Sequence, residues 1–258
     1  MKAEARAALH IRQAYESGRP CAPIRDLAAH NNAETGYLVQ EINTALWLEA
    51  GRRLVGRKIG LTSPAVQAQM SVDQPDFGML YADMSVKDGE AIEVGRLMQP
   101  RVEGEVAFVM SRDVTDTCDR AAAVAALDSA CVAAEIVDSR IADWAIEIVD
   151  TVADNASSGL YVLGETRVAA TSVDYLAERM EIRRRGETVS AGTGDACLGH
   201  PFDAVTWLAN TLVRVGRPLC AGDVVLSGAW GPLVPAAPGD ELEVRISGLG
   251  AVRAVFGD

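Results

Sequence analysis

From residue 53 onward, short runs of β-forming residues follow one another with little helix between them. The runs are "RLVGRKIGL", "FGMLYADMSV", "RVEGEVAFVM", "ACVAAEIVDS", "GLYVLGE", "MEIRRRGETVSAG", "GDVVLSGAW" and "DELEVRISGLGAVRAVF". Gly, Pro and Asp break them apart, as turn residues do. Only "DRAAAVAALDSA" and "PFDAVTWLANTLVRVG" read as helices in this stretch, the second with Asp203 as its cap. A doubly wound parallel sheet alternates strands with helices, which argues against that architecture here. The pattern predicts an α+β fold with a mixed, strongly bent β-sheet or β-roll.

The residues before this stretch have a different texture. Positions 3–17 predict an alanine-rich helix that "SGRP" ends. "AETGYLVQEINTALWLEAG" predicts a second helix, capped by Asn32 and stopped at Gly51. Its expected apolar stripe is Leu38, Ile42 and Leu46, widened by Val39 and Trp47. The division expected is a helical N-terminal subdomain over residues 1–52 and a β-rich catalytic domain over residues 53–258.

Charge limits the partners. The net charge is −12, from 24 Lys and Arg against 36 Asp and Glu, and no basic cluster stands out. The run "RRR" at 183–185 is expected on a solvated strand edge. Nucleic acid and anionic membranes are poor partners for such a chain. No apolar run approaches the roughly 20 residues of a membrane span, and the N-terminus lacks the apolar core of a signal peptide. A soluble, cytoplasmic protein is expected. Cysteines at 21, 118, 131, 197 and 220 form no CxxC and are expected as reduced thiols. The histidines at 10, 30 and 200 have no zinc-site spacing.

Candidate chemistry begins in "QPRVEGEVAFVM". Alternation puts Glu103 and Glu105 on one strand face with Ala107 and Val109. A solvated face explains two such acids; so does a hard cation, because buried like charges repel unless something positive lies between them. Glu135, in the middle of "CVAAEIVDSR", adds a third carboxylate on a second strand and favours the cation. In "GRKIGLTS", Gly56 and Gly60 flank Lys58 at i−2 and i+2 and leave open space around its amine, so little packing is expected to depend on the lysine. "VDQPDFG" offers Asp76 from a loop, with Phe77 anchored inward, and "DTVADNASSG" offers Ser157 and Ser158 as hydrogen-bond donors. Trp230 in "LSGAWGPLVP" either walls a pocket or only packs.

Taken together, "GRKIGLTS", "VDQPDFG", "QPRVEGEVAFV", "AAEIVDSRIADW", "VDTVADNASSG" and "SGAWGP" resemble the 2-keto-4-pentenoate hydratases (2-hydroxypenta-2,4-dienoate hydratases) over nearly the whole chain. That family lies within the fumarylacetoacetate hydrolase superfamily and acts in bacterial meta-cleavage of aromatic compounds. The resemblance implies the fumarylacetoacetate hydrolase type of fold, and Mg²⁺ or Mn²⁺ held by Glu103, Glu105 and Glu135. It implies proton transfer by Lys58, with Asp76 and Ser158 close to a small 2-hydroxy-dienoate. Near a cation the pKa of Lys58 is expected to fall. Asp76, or a water held by the ion, is the expected base for hydration to a 4-hydroxy-2-oxo acid. The family pattern has a smaller aliphatic residue where Trp230 stands, which ties that residue to tail preference. A homo-oligomer, and association with a pathway decarboxylase or aldolase, are also implied. The rival readings are decarboxylation of a 2-oxo-dienedioate, as in 4-oxalocrotonate decarboxylase, and a non-catalytic partner subunit.

Overall fold

A computed structural model describes residues 2–70 and 72–258. The chain opens with helices α1 (Ala3–Ser17) and α2 (Ala33–Glu49). Strand β1 (Leu54–Gly60), helix α3 (Pro64–Gln69), β2 (Asp76–Tyr81), β3 (Ser85–Val86) and β4 (Ala91–Ile92) lead to the long strand β5 (Arg101–Met110). Next come α4 (Arg120–Val124), β6 (Leu127–Val137), α5 (Ile148–Ala153), β7 (Ser158–Leu163), β8 (Val168–Ala169), β9 (Arg179–Arg184) and β10 (Glu187–Thr193). Helix α6 (Pro201–Arg214), β11 (Val224–Leu226), β12 (Val234–Pro235), β13 (Glu241–Ile246) and β14 (Gly250–Phe256) complete the fold.

Two sheets form among the described residues. The larger runs β2-β1-β11-β5-β6-β7-β3, with β12 added to β5 and β8 to β6. It mixes parallel pairs (β1 with β11, β3 with β7) with antiparallel ones, and contacts between β2 and β7 show how far it curls. The smaller sheet runs β10-β9-β13-β14-β4. Val102, Val106 and Phe108 of β5 face it, buried with Ile182, Val244 and Val252. That leaves Glu103 and Glu105 on the opposite, concave side of the large sheet. The bent mixed sheet expected from the sequence is present, with helices at the N-terminus.

Several local expectations fail for physical reasons. The alanine-rich segment after Asp119 keeps only five helical residues, because from Leu127 it is drawn into the β5–β6 ladder, paired from Met110↔Leu127 to Arg101↔Val137. Long-range pairing overrides helix propensity here. Asp203 does not cap α6: His200 does, its Nδ1 accepting from Phe202 N at 3.0 Å, while Asp203 pairs with Arg120 at 3.3 Å. Arg183 and Arg184 of the "RRR" run lie on β9, an inner strand, where Arg183 pairs with Glu181 and Arg184 with Asp240, and Arg185 follows exposed in the turn. In α2 the predicted cap holds, with Asn32 Oδ1 accepting from Thr35 N at 2.9 Å. The predicted stripe holds only in part: Val39 is buried and Ile42 and Trp47 pack against the core, while Leu38 and Leu46 are exposed. The buried face is Gly36, Val39, Gln40, Asn43 and Thr44. Gly36 lets α2 close on α5, where a Cβ would stand 2.8 Å from Val152 Cβ. Gln40 Nε2 donates to Phe77 O and Val152 O, both at 3.0 Å. α1, α2 and α5 share a small core of Ala7, Ala8, Ile11, Val39, Val149 and Ala153.

Candidate metal and catalytic site

The β5–β6 register sets Glu103 directly opposite Glu135 and Glu105 opposite Ala133. Each of the three glutamates offers a carboxylate oxygen within 4.8 Å of the others'. Glu105 and Glu135 are buried and Glu103 half-buried, so this is no solvated face. Gly228 N donates to Glu105 Oε2 at 2.9 Å and fixes its orientation. Glu105 Oε1 and Glu135 Oε2 have no hydrogen-bond partner. Leaving such oxygens bare in a buried site is costly. An all-oxygen donor set with bare, converging carboxylates fits a hard divalent cation, and no histidine or cysteine joins the cluster among the described residues.

Lys58 reaches the same space from β1, paired in register with Gly78 of β2. It is 3 % exposed, and its Nζ lies 3.1 Å from Glu135 Oε1. Gly60 makes room as expected: a Cβ there would stand 3.4 Å from Lys58 Nζ and would overlap the Asp76 carboxylate. Gly56 has another purpose, because a Cβ there would collide with the Val224 backbone of β11. Asp76 is not in a loop. It opens β2, opposite Gly60, and is buried. Phe77 is anchored inward, stacked on Tyr37 with ring centroids 4.6 Å apart.

The charges shift one another strongly. Burial, then the neighbouring Glu135, push Glu103 up to about 7. Burial, Glu135 and Glu103 hold Glu105 well above the usual carboxylate range. Burial raises Asp76 to about 6 although Lys58 pulls it down. Burial lowers the Lys58 pKa, but Glu135, Asp76, Glu103 and Glu105 outweigh it, and the net shift is upward. Without an ion the carboxylates set the direction of this shift; the expected depression belongs to the site with a cation among the glutamates.

Ser158 stands at the edge of this group. Its Oγ donates to Asn155 O at 2.7 Å. A Cβ on Gly78, the register partner of Lys58, would be 2.6 Å from Ser158 Oγ and would overlap the Asn155 carbonyl. Ser158 thus lies against the strand residue that neighbours Lys58 and Asp76, and none of its hydrogen bonds reaches the glutamates. Ser157 turns away and meets Thr151 Oγ1 at 3.3 Å.

Trp230 is far from its expected place. Its ring packs edge-on to Tyr175 at 6.5 Å and lies 3.2 Å from where a Gly194 Cβ would be. Tyr175 in turn contacts Phe108, on the face of β5 away from the glutamates. The indole is 1 % exposed, so it packs the core and walls no substrate tail. Trp230→Leu should therefore lower thermal stability, by somewhat less than the roughly 3–5 kcal/mol of a buried Trp→Ala change. The ratio of kcat/KM between longer and shorter dienoates should stay constant; a changed ratio with unchanged Tm would return Trp230 to the pocket.

Sequence reasoning missed Gly78, Gly228, Asp138, Arg140, Asp154 and Asn155. For Asp138, Arg140, Asp154 and Asn155 the signal was present in "VDSRIADW" and "VDTVADN", where acids and an arginine crowd apolar segments that bury them. A surface cleft of about 440 Å³ is not the carboxylate site. It lies between Val94, Met98, Trp144, Pro235 and Phe256, and only Arg101 of its lining shares the glutamate face of β5.

Residues 54–256 match the family model described as fumarylacetoacetate (FAA) hydrolase C-terminal. The chain is 56 % identical over 257 residues to "2-keto-4-pentenoate hydratase 2" of Dechloromonas aromatica, covering 99 % of this chain and 98 % of that one. It is 51 % identical over 251 residues to a 2-keto-4-pentenoate hydratase of Paraburkholderia xenovorans, with 97 % and 93 % covered. Among solved structures, 4-oxalocrotonate decarboxylase from Pseudomonas putida G7, complexed with magnesium and adipate, superposes with a TM-score of 0.93 at 33 % identity, covering 98 % of this chain and 97 % of that one. The chain belongs to the fumarylacetoacetate hydrolase family.

Proposed function

We propose that the protein is a divalent-metal-dependent hydro-lyase that converts 2-hydroxypenta-2,4-dienoate (2-oxopent-4-enoate) to 4-hydroxy-2-oxopentanoate, in the meta-cleavage breakdown of aromatic compounds. The observation that carries this is the buried Lys58–Glu135 pair beside Asp76 and the three-glutamate cluster, in a chain whose relatives are named hydratases. Glu103, Glu105 and Glu135 would hold Mg²⁺ or Mn²⁺, which when bound supplies Lewis acidity for the carboxylate and C2 oxygen of the substrate.

The remaining chemistry falls to the chain's own groups. Lys58, kept as an ammonium by the carboxylates around it, is the group that can deliver a proton to C5 and take up the one the C2 hydroxyl releases, as the dienol becomes an α,β-unsaturated ketone. Asp76, raised to about 6, is ionised at neutral pH yet basic enough to take a proton from the water that adds at C4 and return it to C3. Two groups pushed apart in this way divide the acid and base roles. The Ser158 hydroxyl, held against Gly78 with its proton on the Asn155 carbonyl, accepts from the substrate or turns from that carbonyl to donate to it. No histidine stands among these groups, which supports hydration over hydrolytic C–C cleavage.

The decarboxylase likeness keeps a second reading alive, because that reaction needs the same chelating end of the substrate and adds a distal carboxylate. Incubation with 2-hydroxypenta-2,4-dienoate separates the two. Loss of dienol absorbance, with a product one water heavier and no carbon dioxide, is the expected result. Carbon dioxide from a dicarboxylate, with no hydration of the monoacid, would overturn it. Exposed Leu38 and Leu46 on α2 support a homo-oligomer. Association with a decarboxylase or aldolase belongs to the same proposal, and analytical ultracentrifugation reads both.

A further inference from the structure

Between α5 and β7 the backbone does something that side chains resist. Asn155, Ala156 and Ser157 all have φ between 52° and 56°, three consecutive left-handed residues with no glycine among them. Such conformations persist only where their surroundings over-determine them, and they gather at functional sites. Here the surroundings can be named. Arg140 and Asp154, 1 % and 0 % exposed, grip one another three times. Arg140 N donates to Asp154 Oδ2 at 2.9 Å, Nε to Oδ1 at 2.6 Å, and Nη2 to the Asp154 carbonyl at 3.0 Å.

From this pair the constraints run outward to the strands that carry the site. Asp138, 3.7 Å from Arg140 Nη1, accepts from Met98 N and Gln99 N just before β5, and its own N donates to Ser157 O at 2.8 Å. Asn155, the first left-handed residue, clasps Met79 of β2 like a neighbouring strand. Its Oδ1 accepts from Met79 N at 2.7 Å and its Nδ2 donates to Met79 O at 2.9 Å. On the far side, the Arg140 guanidinium lies over the Tyr15 ring of α1, 4.3 Å from its centroid.

Resting on the hydratase reading above, we propose that Arg140, Asp154 and Asn155 are positioning residues for the reaction. Their clamp holds the left-handed turn that sets the Ser158 hydroxyl, and β2 with Asp76, against Lys58. None of the three bonds to Lys58, Asp76 or the glutamates, and Asn155 meets Ser158 through its backbone carbonyl. The strained turn brings the Asn155 carbonyl and Ser158 Oγ into space that only a glycine at 78 leaves free, so a small relaxation of the turn moves Ser158 and Asp76 relative to Lys58. The glutamates, on β5 and β6, are held by their own ladder and by Gly228. Loss of the clamp is therefore felt in turnover and spared in metal affinity.

The test compares Asp154→Asn and Asn155→Ala with the wild type, well below the Tm of each. Expected are Mn²⁺ affinity within about threefold of wild type and a kcat lower by about 10²-fold, the scale of an ångström-sized misplacement. Hydrogen exchange at the Met79 amide, bonded to Asn155 Oδ1, should lose protection in both variants. Asn155→Ala keeps the buried ion pair and serves if Asp154→Asn fails to fold. A kcat within about threefold of wild type in a folded variant overturns the proposal and leaves the clamp a purely structural device. Equal losses of Mn²⁺ affinity and turnover also overturn it, since the defect would then lie at the glutamates. A wild type that binds Mn²⁺ yet turns over no dienoate overturns the hydratase reading. The amide exchange then decides the clamp alone, and unchanged protection at Met79 would sink it.

Discussion

Replacing Lys58 by methionine is expected to lower kcat by about 10²–10⁴-fold, the range of a positioned acid–base group. The substitution keeps most of the side chain's volume and removes its charge, so the loss is assignable to the amine. It should also destabilise the metal-free protein. Glu135 is 1 % exposed and Lys58 lies 3.1 Å from its Oε1; removing one member of a buried pair costs roughly 3–5 kcal/mol because the other is left unbalanced. This reverses the expectation from the flanking glycines that little depends on the lysine. A divalent ion among the glutamates should restore much of the lost stability and none of the lost rate. A variant that keeps turnover within about tenfold of wild type would remove Lys58 from proton transfer.

Stripping the divalent ion should abolish turnover, and should also reveal itself in the pH dependence of folding. In the ion-free protein Glu103 sits at about 7 against an ordinary 4.5, Asp76 at about 6 against 3.8, and Glu105 is raised as well. A carboxyl whose folded pKa is raised binds its proton more tightly in the native state. Its contribution to stability is complete below the unfolded value and is lost as pH rises through the folded one. For these groups that window runs from about 4 to about 7. The chelated protein should therefore melt several degrees higher near pH 5 than near pH 8. Adding Mg²⁺ or Mn²⁺ should raise the Tm most at the alkaline end, where the carboxylates are bare. Glu105→Gln should flatten the pH trend and weaken the ion's effect. Full turnover in protein confirmed free of metal would dismiss the ion, and a Tm independent of pH after chelation would mean the glutamates are not in mutual repulsion.

The parts of the fold written in local pattern were legible. Asn32 announced the start of α2, and alternation placed Glu103 and Glu105 on one face. What the sequence could not disclose was what each face would meet. Leu38 and Leu46 repeat like a core stripe, yet α2 packs through Gly36, Gln40 and Asn43, because its neighbour approaches too closely for leucine. Trp230 invited a pocket role only because its neighbours in sequence do; Tyr175, which decides where the indole goes, lies more than fifty positions away. At the site, the identity of the charged residues was visible and their balance was not. The direction of the Lys58 shift depends on four carboxylates arriving from three strands. Asn155 was hidden for a similar reason, since its partner is the backbone of Met79, and a backbone carries no residue-specific signal.

The pairing of Glu103 with Glu135 across the β5–β6 ladder has a consequence for how the chain finds its native state. A ladder slipped by one residue would turn one strand's glutamates to the opposite face. A slip of two one way would set Glu135 opposite Arg101, about 7 Å along the strand from Glu103 and farther still from Glu105, too far to share one ion; a slip of two the other way would set it opposite Glu105 and keep the three together. The one-residue slips and the slip toward Arg101 scatter the carboxylates that the native alignment gathers. Any ligand that binds this alignment alone stabilises it by mass action and leaves its competitors unaided. A metal held by the three glutamates would thus favour the native alignment over the slips that scatter them, and loading with Mn²⁺ during refolding should raise the yield of active protein more than loading after refolding is complete.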